Sequence, residues 1–190
     1  VDQEKKGVRR ELAFIPQASP GYLHSFGLTR RYVVMLTQPF NFNLAKFLSP
    51  DRGPIITNYE WHPELPSQII LVDRKRGGVV KTFDTEAFFA FHHINAYEKG
   101  DRVIVDVCAH KDAGVIDALY LKRIRKDHNV PQARYRRFEV NPSTGKLSKR
   151  DLIEAVIELP QKNYDAVNGR HYRYAYGVGL KSANSGYIDQ

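Results

Sequence analysis

Six short apolar runs, each ended by a turn signal, leave this chain few ways to fold. Tyr32-Val33-Val34-Met35-Leu36 is the first, and Ser67 to Asp73 follows. Arg76-Gly77-Gly78 turns the chain into Val79-Val80-Lys81-Thr82-Phe83, and Arg102 to Val107 comes next. Arg134 to Val140 runs into Asn141-Pro142-Ser143-Thr144-Gly145-Lys146-Leu147, a hairpin turn, and His171 to Tyr176 closes the series. Short strands broken by Gly, Pro, Asn and Asp predict an all-β sandwich, barrel or propeller. No internal repeat is exact, which diverged propeller blades do not require. The best helical stretch is Asp117 to Ile124, about two turns, with Asp117 placed to cap it. Pro50 to Pro66 reads as one long loop, and no linker divides the chain, so a single domain is expected over residues 1–190.

The 190 residues are 42% apolar and 26% charged, the profile of a chain that builds a packed core rather than a disordered one. No run approaches the roughly 20 apolar residues of a membrane span. The polar start, Val1-Asp2-Gln3-Glu4-Lys5-Lys6, has no signal-peptide pattern, so a cytoplasmic location is expected. The lone cysteine, Cys108, sits in an apolar run and reads as a buried hydrophobe. The net charge is +8, with basic clusters at 122–126 and 134–137. These read as solvated faces or as attraction to an anionic membrane, and nucleic acid is not expected, because charge alone is a weak signal for it.

Phosphate loops, GxGxxG fingerprints and GxSxG elbows are absent, and one cysteine excludes thiolate-rich zinc sites. Chemistry, if present, therefore rests on histidine and carboxylate. His92 and His93 follow Phe88, Phe89 and Phe91. On an extended strand, adjacent side chains face opposite ways, so one of the two faces a site and the other faces packing. His24 lies in Tyr22-Leu23-His24-Ser25-Phe26-Gly27-Leu28-Thr29, at the entrance to a strand. Taken singly, a histidine in such a setting is more often structural than a ligand.

Three blocks in order resemble the carotenoid cleavage oxygenase family. The first is His24-Ser25-Phe26-Gly27-Leu28-Thr29 with Gln38-Pro39-Phe40-Asn41-Phe42-Asn43-Leu44. The second is Phe91-His92-His93-Ile94-Asn95-Ala96-Tyr97-Glu98 and the strand that reaches Asp106. The third is Glu158-Leu159-Pro160-Gln161-Lys162-Asn163-Tyr164, then Tyr172-Arg173-Tyr174-Ala175-Tyr176-Gly177. The resemblance implies a seven-bladed β-propeller with Fe(2+) on its axis, held by four histidines. It implies that His24 and His92 are two of these ligands, that His93 is not, and that Glu158 accepts the imidazole N–H of His92. Phe91 and His110 fall where relatives line a substrate tunnel, although His110 departs from the aromatic often found there, and an exposed strand-end histidine is the other reading of it.

No other histidine matches the two remaining ligands. His62 lies in a loop, His128 in a basic loop, and His171 among tyrosines. The chain is therefore expected to be an interior piece of about three blades, inactive and marginally stable alone. The implied reaction is oxidative cleavage of a conjugated double bond in a carotenoid or apocarotenoid by dioxygen, with peripheral membrane association. The alternatives are a retinyl ester isomerohydrolase of the same family and a non-catalytic propeller binding module.

Overall fold

The computed structural model describes residues 10–127 and 130–179, and His128 lies outside them. Two four-stranded antiparallel sheets carry most of the chain. The first runs in the order β1 (Gly27–Leu28), β2 (Tyr32–Thr37), β5 (Ser67–Asp73), β6 (Val79–Thr85). Between β2 and β5 the chain makes a hairpin of β3 (Phe40–Phe42) and β4 (Tyr59–Trp61), with helix α1 (Leu44–Leu48) and a 3-10 turn (Ile55–Asn58) inside it. The second sheet has the order β10 (Leu147–Val156), β9 (Arg134–Val140), β8 (Arg102–Ala109), β7 (His93–Lys99). A third begins with β11 (Glu158–Gln161) paired to β12 (Tyr176–Val178). Each four-stranded sheet has the form of a propeller blade, and two strands of a third such sheet are described.

The stacking of the blades explains the apolar pattern of β8, which is buried on both faces. Its odd residues Val103, Val105 and Val107 join Val34, Leu36, Ile69, Leu71 and Phe138 in the core between the first two blades. Its even residues Ile104 and Cys108 face Ile157 and Tyr172, towards the third blade. Period-2 alternation thus assigns one strand to two cores. Asp106 falls on the second face and is fully buried. Arg137 meets it through Nε and Nη2, both at 2.8 Å, and the Tyr172 hydroxyl donates to it at 2.5 Å.

Gly27 is required where the innermost strands meet. A Cβ there would stand 2.9 Å from the Cβ of Ala96 on β7 and 3.3 Å from that of Val34. This close approach brings the start of β1 against the start of β7.

Three local expectations are corrected. The stretch Asp117–Ile124 is not one helix but parts of two, α2 (Gly114–Ala118) and α3 (Leu121–Asp127), and Asp117 lies inside α2 rather than capping it. The break after Ala118 lets Val115, Leu119 and Ile124 all pack on the aromatic cluster of Phe40, Phe89 and Phe91. The segment 50–66 is not wholly loop, because Tyr59 packs on Phe40 and Phe42 at 5.2 Å each and draws β4 into pairing. His171 to Ala175 is not strand, and only Tyr176–Val178 pairs. Tyr172 turns inward to Asp106 and edges onto Tyr97 at 6.0 Å, which takes it out of any sheet register. Of the second basic cluster, Arg136 is paired with Asp151 and Arg137 with Asp106. No helix among the described residues is long and apolar enough to cross a membrane.

Candidate metal centre

The innermost strands of successive blades all begin near one end of the structure, and the residues singled out in the sequence sit at those entrances. His24 lies just before β1, His92 immediately precedes β7, and Glu158 opens β11. The rings of His24 and His92 stand 5.1 Å apart, nearly perpendicular at 87°. Both line a cavity of about 270 Å³, together with Phe91, His110 and Glu158 and with apolar walls from Val115, Leu119, Val130, Val156, Leu159 and Val178. Helix α2 and the residue after it supply the Val115 and Leu119 wall.

The hydrogen bonds decide which nitrogens are available. His92 Nδ1 donates to Glu158 Oε2 at 2.6 Å. His24 Nδ1 lies 3.0 Å from the Tyr22 hydroxyl. Each ring keeps Nε2 as the nitrogen without an assigned partner in these bonds. Burial first, and then the neighbouring His92, hold His24 below the ordinary imidazole range, with Glu158 acting in the opposite sense. His24 therefore keeps a neutral ring, the form that binds metal.

Glu158 is the most heavily bonded group of the site. Oε2 also accepts the Leu159 N–H at 2.9 Å, and Oε1 accepts His110 Nε2–H at 2.7 Å. Burial pushes its carboxyl upward, but the donors His110, His92 and Leu159 outweigh it and hold it at about 2, so the group is a carboxylate. Leu159 adopts a positive φ of 47°, a left-handed conformation that costs a leucine roughly 1–2 kcal/mol. The strain sits at the residue whose N–H helps to fix the carboxylate.

His93 points elsewhere. Its Nδ1 bonds the Ser25 hydroxyl at 2.9 Å, its own N–H donates to the same oxygen, and Ser25 donates to the Phe91 carbonyl. Burial above all lowers it to about 4, so the ring is neutral and part of the packing between β1 and β7. His62 pairs with Glu64 and His171 edges onto the Tyr97 ring, and neither lines the cavity.

His110 is a correction to one of its two readings: it is not an exposed strand-end residue but is 3% exposed and lines the cavity. Its bond to Glu158 was not anticipated from the sequence. The signal exists only in the register: Cys108 N–H bonds the His92 carbonyl, and two residues on, His110 faces the same way. Asn95 supplies a second unanticipated tie. Its amide donates to the Val167 and Arg170 carbonyls at 3.0 and 3.1 Å and fastens the segment after Glu158 against β7.

Two imidazoles sharing an ion through Nε2, with metal–nitrogen bonds near 2.1 Å, hold their ring centres roughly 4.5–5.5 Å apart. The 5.1 Å separation of His24 and His92, with both Nδ1 atoms engaged, fits such an ion. No group of three or more potential ligands converges among the described residues, so they bring two donors to the site and not a complete set.

Comparison with known proteins agrees with this architecture. A carotenoid isomerooxygenase of Galleria mellonella is 35% identical over 182 residues, covering 89% of this chain and 36% of the relative. A beta,beta-carotene 15,15'-dioxygenase of Gallus gallus is 31% identical, covering 85% of this chain and 37% of its own length. Among solved structures, a cobalt-substituted ACO from Synechocystis superposes with a TM-score of 0.75 at 27% identity, over 87% of this chain and 34% of that one. An ACO/RPE65 chimera gives 0.76 at 26% identity, over 88% and 34%. The chain thus spans little more than a third of the relatives it matches. A family model described as retinal pigment epithelial membrane protein matches residues 1–189, and the chain belongs to that family, the carotenoid cleavage oxygenases.

Proposed function

We propose that the full-length protein carrying this chain is a non-haem iron(II) dioxygenase that cleaves a conjugated double bond of a carotenoid or apocarotenoid, giving two carbonyl products. The observation that carries this reading is the pair of imidazoles, His24 and His92, on one mostly apolar cavity with only Nε2 left uncommitted on each ring. Iron(II), held by these two and by ligands from outside the chain, supplies the redox chemistry that activates dioxygen.

The chain's own residues prepare that chemistry. Glu158 takes the Nδ1–H of His92, which fixes the tautomer, aims the ring and makes Nε2 a better donor. The Tyr22 hydroxyl holds His24 in the same sense by accepting its Nδ1–H. The walls from Val115, Leu119, Val130 and Val178 exclude water and suit a rigid apolar polyene. Phe91, edge-on to His24 at 5.3 Å, places an aromatic face beside the reacting bond, where it favours positive character on the polyene.

The two-donor set leaves the 190 residues inactive by themselves. The whole protein docks peripherally on a membrane to reach its substrate. Leu44, Leu48 and Ile55, exposed around α1 beside Lys46 and Arg52, form an apolar and basic patch suited to anionic lipid.

The test is the iron content of the full-length protein, wild type beside His24→Ala, His92→Ala and His93→Ala, with the fold followed by circular dichroism. Stoichiometric iron in the wild type, lost in the first two variants and largely kept in the third, is the expected result. Iron absent from the wild type, or unchanged in His24→Ala and His92→Ala, returns these histidines to structural roles.

A further inference from the structure

We infer that His110 is a positioning residue of this site: its Nε2–H holds Glu158 Oε1 so that Oε2 stays on His92 Nδ1. The metal part of this inference rests on the function proposed above; the hydrogen-bond part does not.

The terminal torsion of a glutamate is broad and nearly two-fold, so a carboxylate anchored through one oxygen can turn and exchange oxygens. Glu158 is anchored through both. Oε2 carries His92 and the Leu159 N–H, while Oε1 carries His110 alone. Removing His110 leaves Oε1 without a donor among the described residues and frees the group to rotate away from His92.

His110 is itself rigid. Its N–H and C=O both bond Phe89, at 2.7 and 3.1 Å, and its ring meets Phe91 edge-on at 5.8 Å. The residue is almost wholly buried, and its Nδ1 has no partner. Burying an imidazole with one nitrogen unanswered is costly, and among the described residues Glu158 is the polar group that offsets it. The ring therefore serves the carboxylate rather than a network of its own. Because an ionised carboxylate only accepts, the bond to Glu158 Oε1 places a proton on Nε2 of His110. A tunnel-lining aromatic without a donor would fill the same space and leave Glu158 loose.

Two replacements separate the donor from the ring. His110→Phe keeps a flat ring of similar size and removes the N–H; His110→Gln places an amide N–H near the position of Nε2. The first readout is made on metal-free full-length protein by proton NMR with ¹⁵N-labelled histidine. The Nδ1–H of His92, bonded to a carboxylate, gives a downfield resonance assigned by its loss in His92→Ala. We expect this proton to exchange with solvent at least tenfold faster in His110→Phe and at nearly the wild-type rate in His110→Gln. An unchanged rate in His110→Phe overturns the inference, whatever the protein does with metals.

The second readout is the dissociation constant for Co(II) with its visible ligand-field spectrum, measured on the same variants. Loss of a hydrogen-bonding partner behind a metal ligand typically costs 10–100-fold in affinity. His110→Phe is expected to weaken Co(II) binding about tenfold, since it acts one bond further back, and His110→Gln to recover most of that. Equal affinity and spectra in wild type and His110→Phe overturn the inference. A wild type that binds no cobalt or iron overturns the proposed function instead and leaves the exchange rates to decide the role of His110.

Discussion

Replacing Asp106 by Asn should lower the thermal midpoint of the full-length protein by about 3 °C, and the structure supplies the reasoning. The carboxylate is completely buried and accepts four bonds, two from the Arg137 guanidinium, one from the Tyr172 hydroxyl and a longer one, 3.4 Å, from the Tyr135 hydroxyl. Its charge keeps Arg137 protonated well above the ordinary arginine range, chiefly through these side-chain hydrogen bonds. Asparagine keeps one acceptor oxygen but turns an NH₂ towards a guanidinium that has only donors. Breaking a buried pair by removing one partner costs about 3–5 kcal/mol. Arg137 is 18% exposed, so water offsets part of this, and about 3 kcal/mol remains. The chain spans 36–37% of its relatives, which puts the whole near 500 residues and its unfolding entropy near 1 kcal/mol per kelvin at ~2 cal/mol/K per residue, hence the 3 °C.

Differential scanning calorimetry at one scan rate is the suitable assay, because proteins of this size often unfold irreversibly. Tyr172→Phe should cost about 1 °C, and the double variant less than the sum, since both changes break one network. An Asp106→Asn midpoint within 0.5 °C of wild type, or strict additivity, would show that the buried carboxylate does not organise Arg137 and Tyr172.

Three further outcomes follow from the same structure. Gly27→Ala should destabilise by about 1–3 kcal/mol, because its Cβ meets that of Ala96 at 2.9 Å; Ala96→Gly should recover part of the loss in the double variant, and no recovery would place the strain elsewhere. Asp151 is held below the ordinary aspartate range, first by its hydrogen bond from Arg136, so it contributes stability above the unfolded value near 4 that is lost as pH falls through its lower folded value. The midpoint gap between wild type and Asp151→Asn should therefore be constant from pH 6 to 8, small as befits a partly exposed pair, and close below pH 4; a gap that widens in acid contradicts the pairing. Leu48→Asp should reduce sedimentation of the full-length protein with anionic vesicles severalfold while leaving its melting unchanged, and undiminished sedimentation would move the membrane contact away from α1.

The sequence by itself determined β2, β5, β6, β8 and β9 and the hairpin turn after β9. β2, β5, β8 and β9 lie on the short runs read from the sequence, with Asp73 and Asn141 at the ends of β5 and β9, since period-2 burial and turn chemistry are local properties. It also determined which residue types sit in the three blocks, and with them the family. The tertiary structure alone decided which faces meet. The even face of β8 carries Asp106 and Cys108, and His110 just past its end continues that face, but only the third sheet folding against it brings Glu158 to His110 and Tyr172 to Asp106. The helix break after Ala118, the pairing of β4 and the inward turn of Tyr172 share that origin, because each exchanges local regularity for contact with a distant aromatic or charge. A chain states its alternation residue by residue; the neighbour that each face meets is set by how the sheets stack, which no short window of sequence encodes.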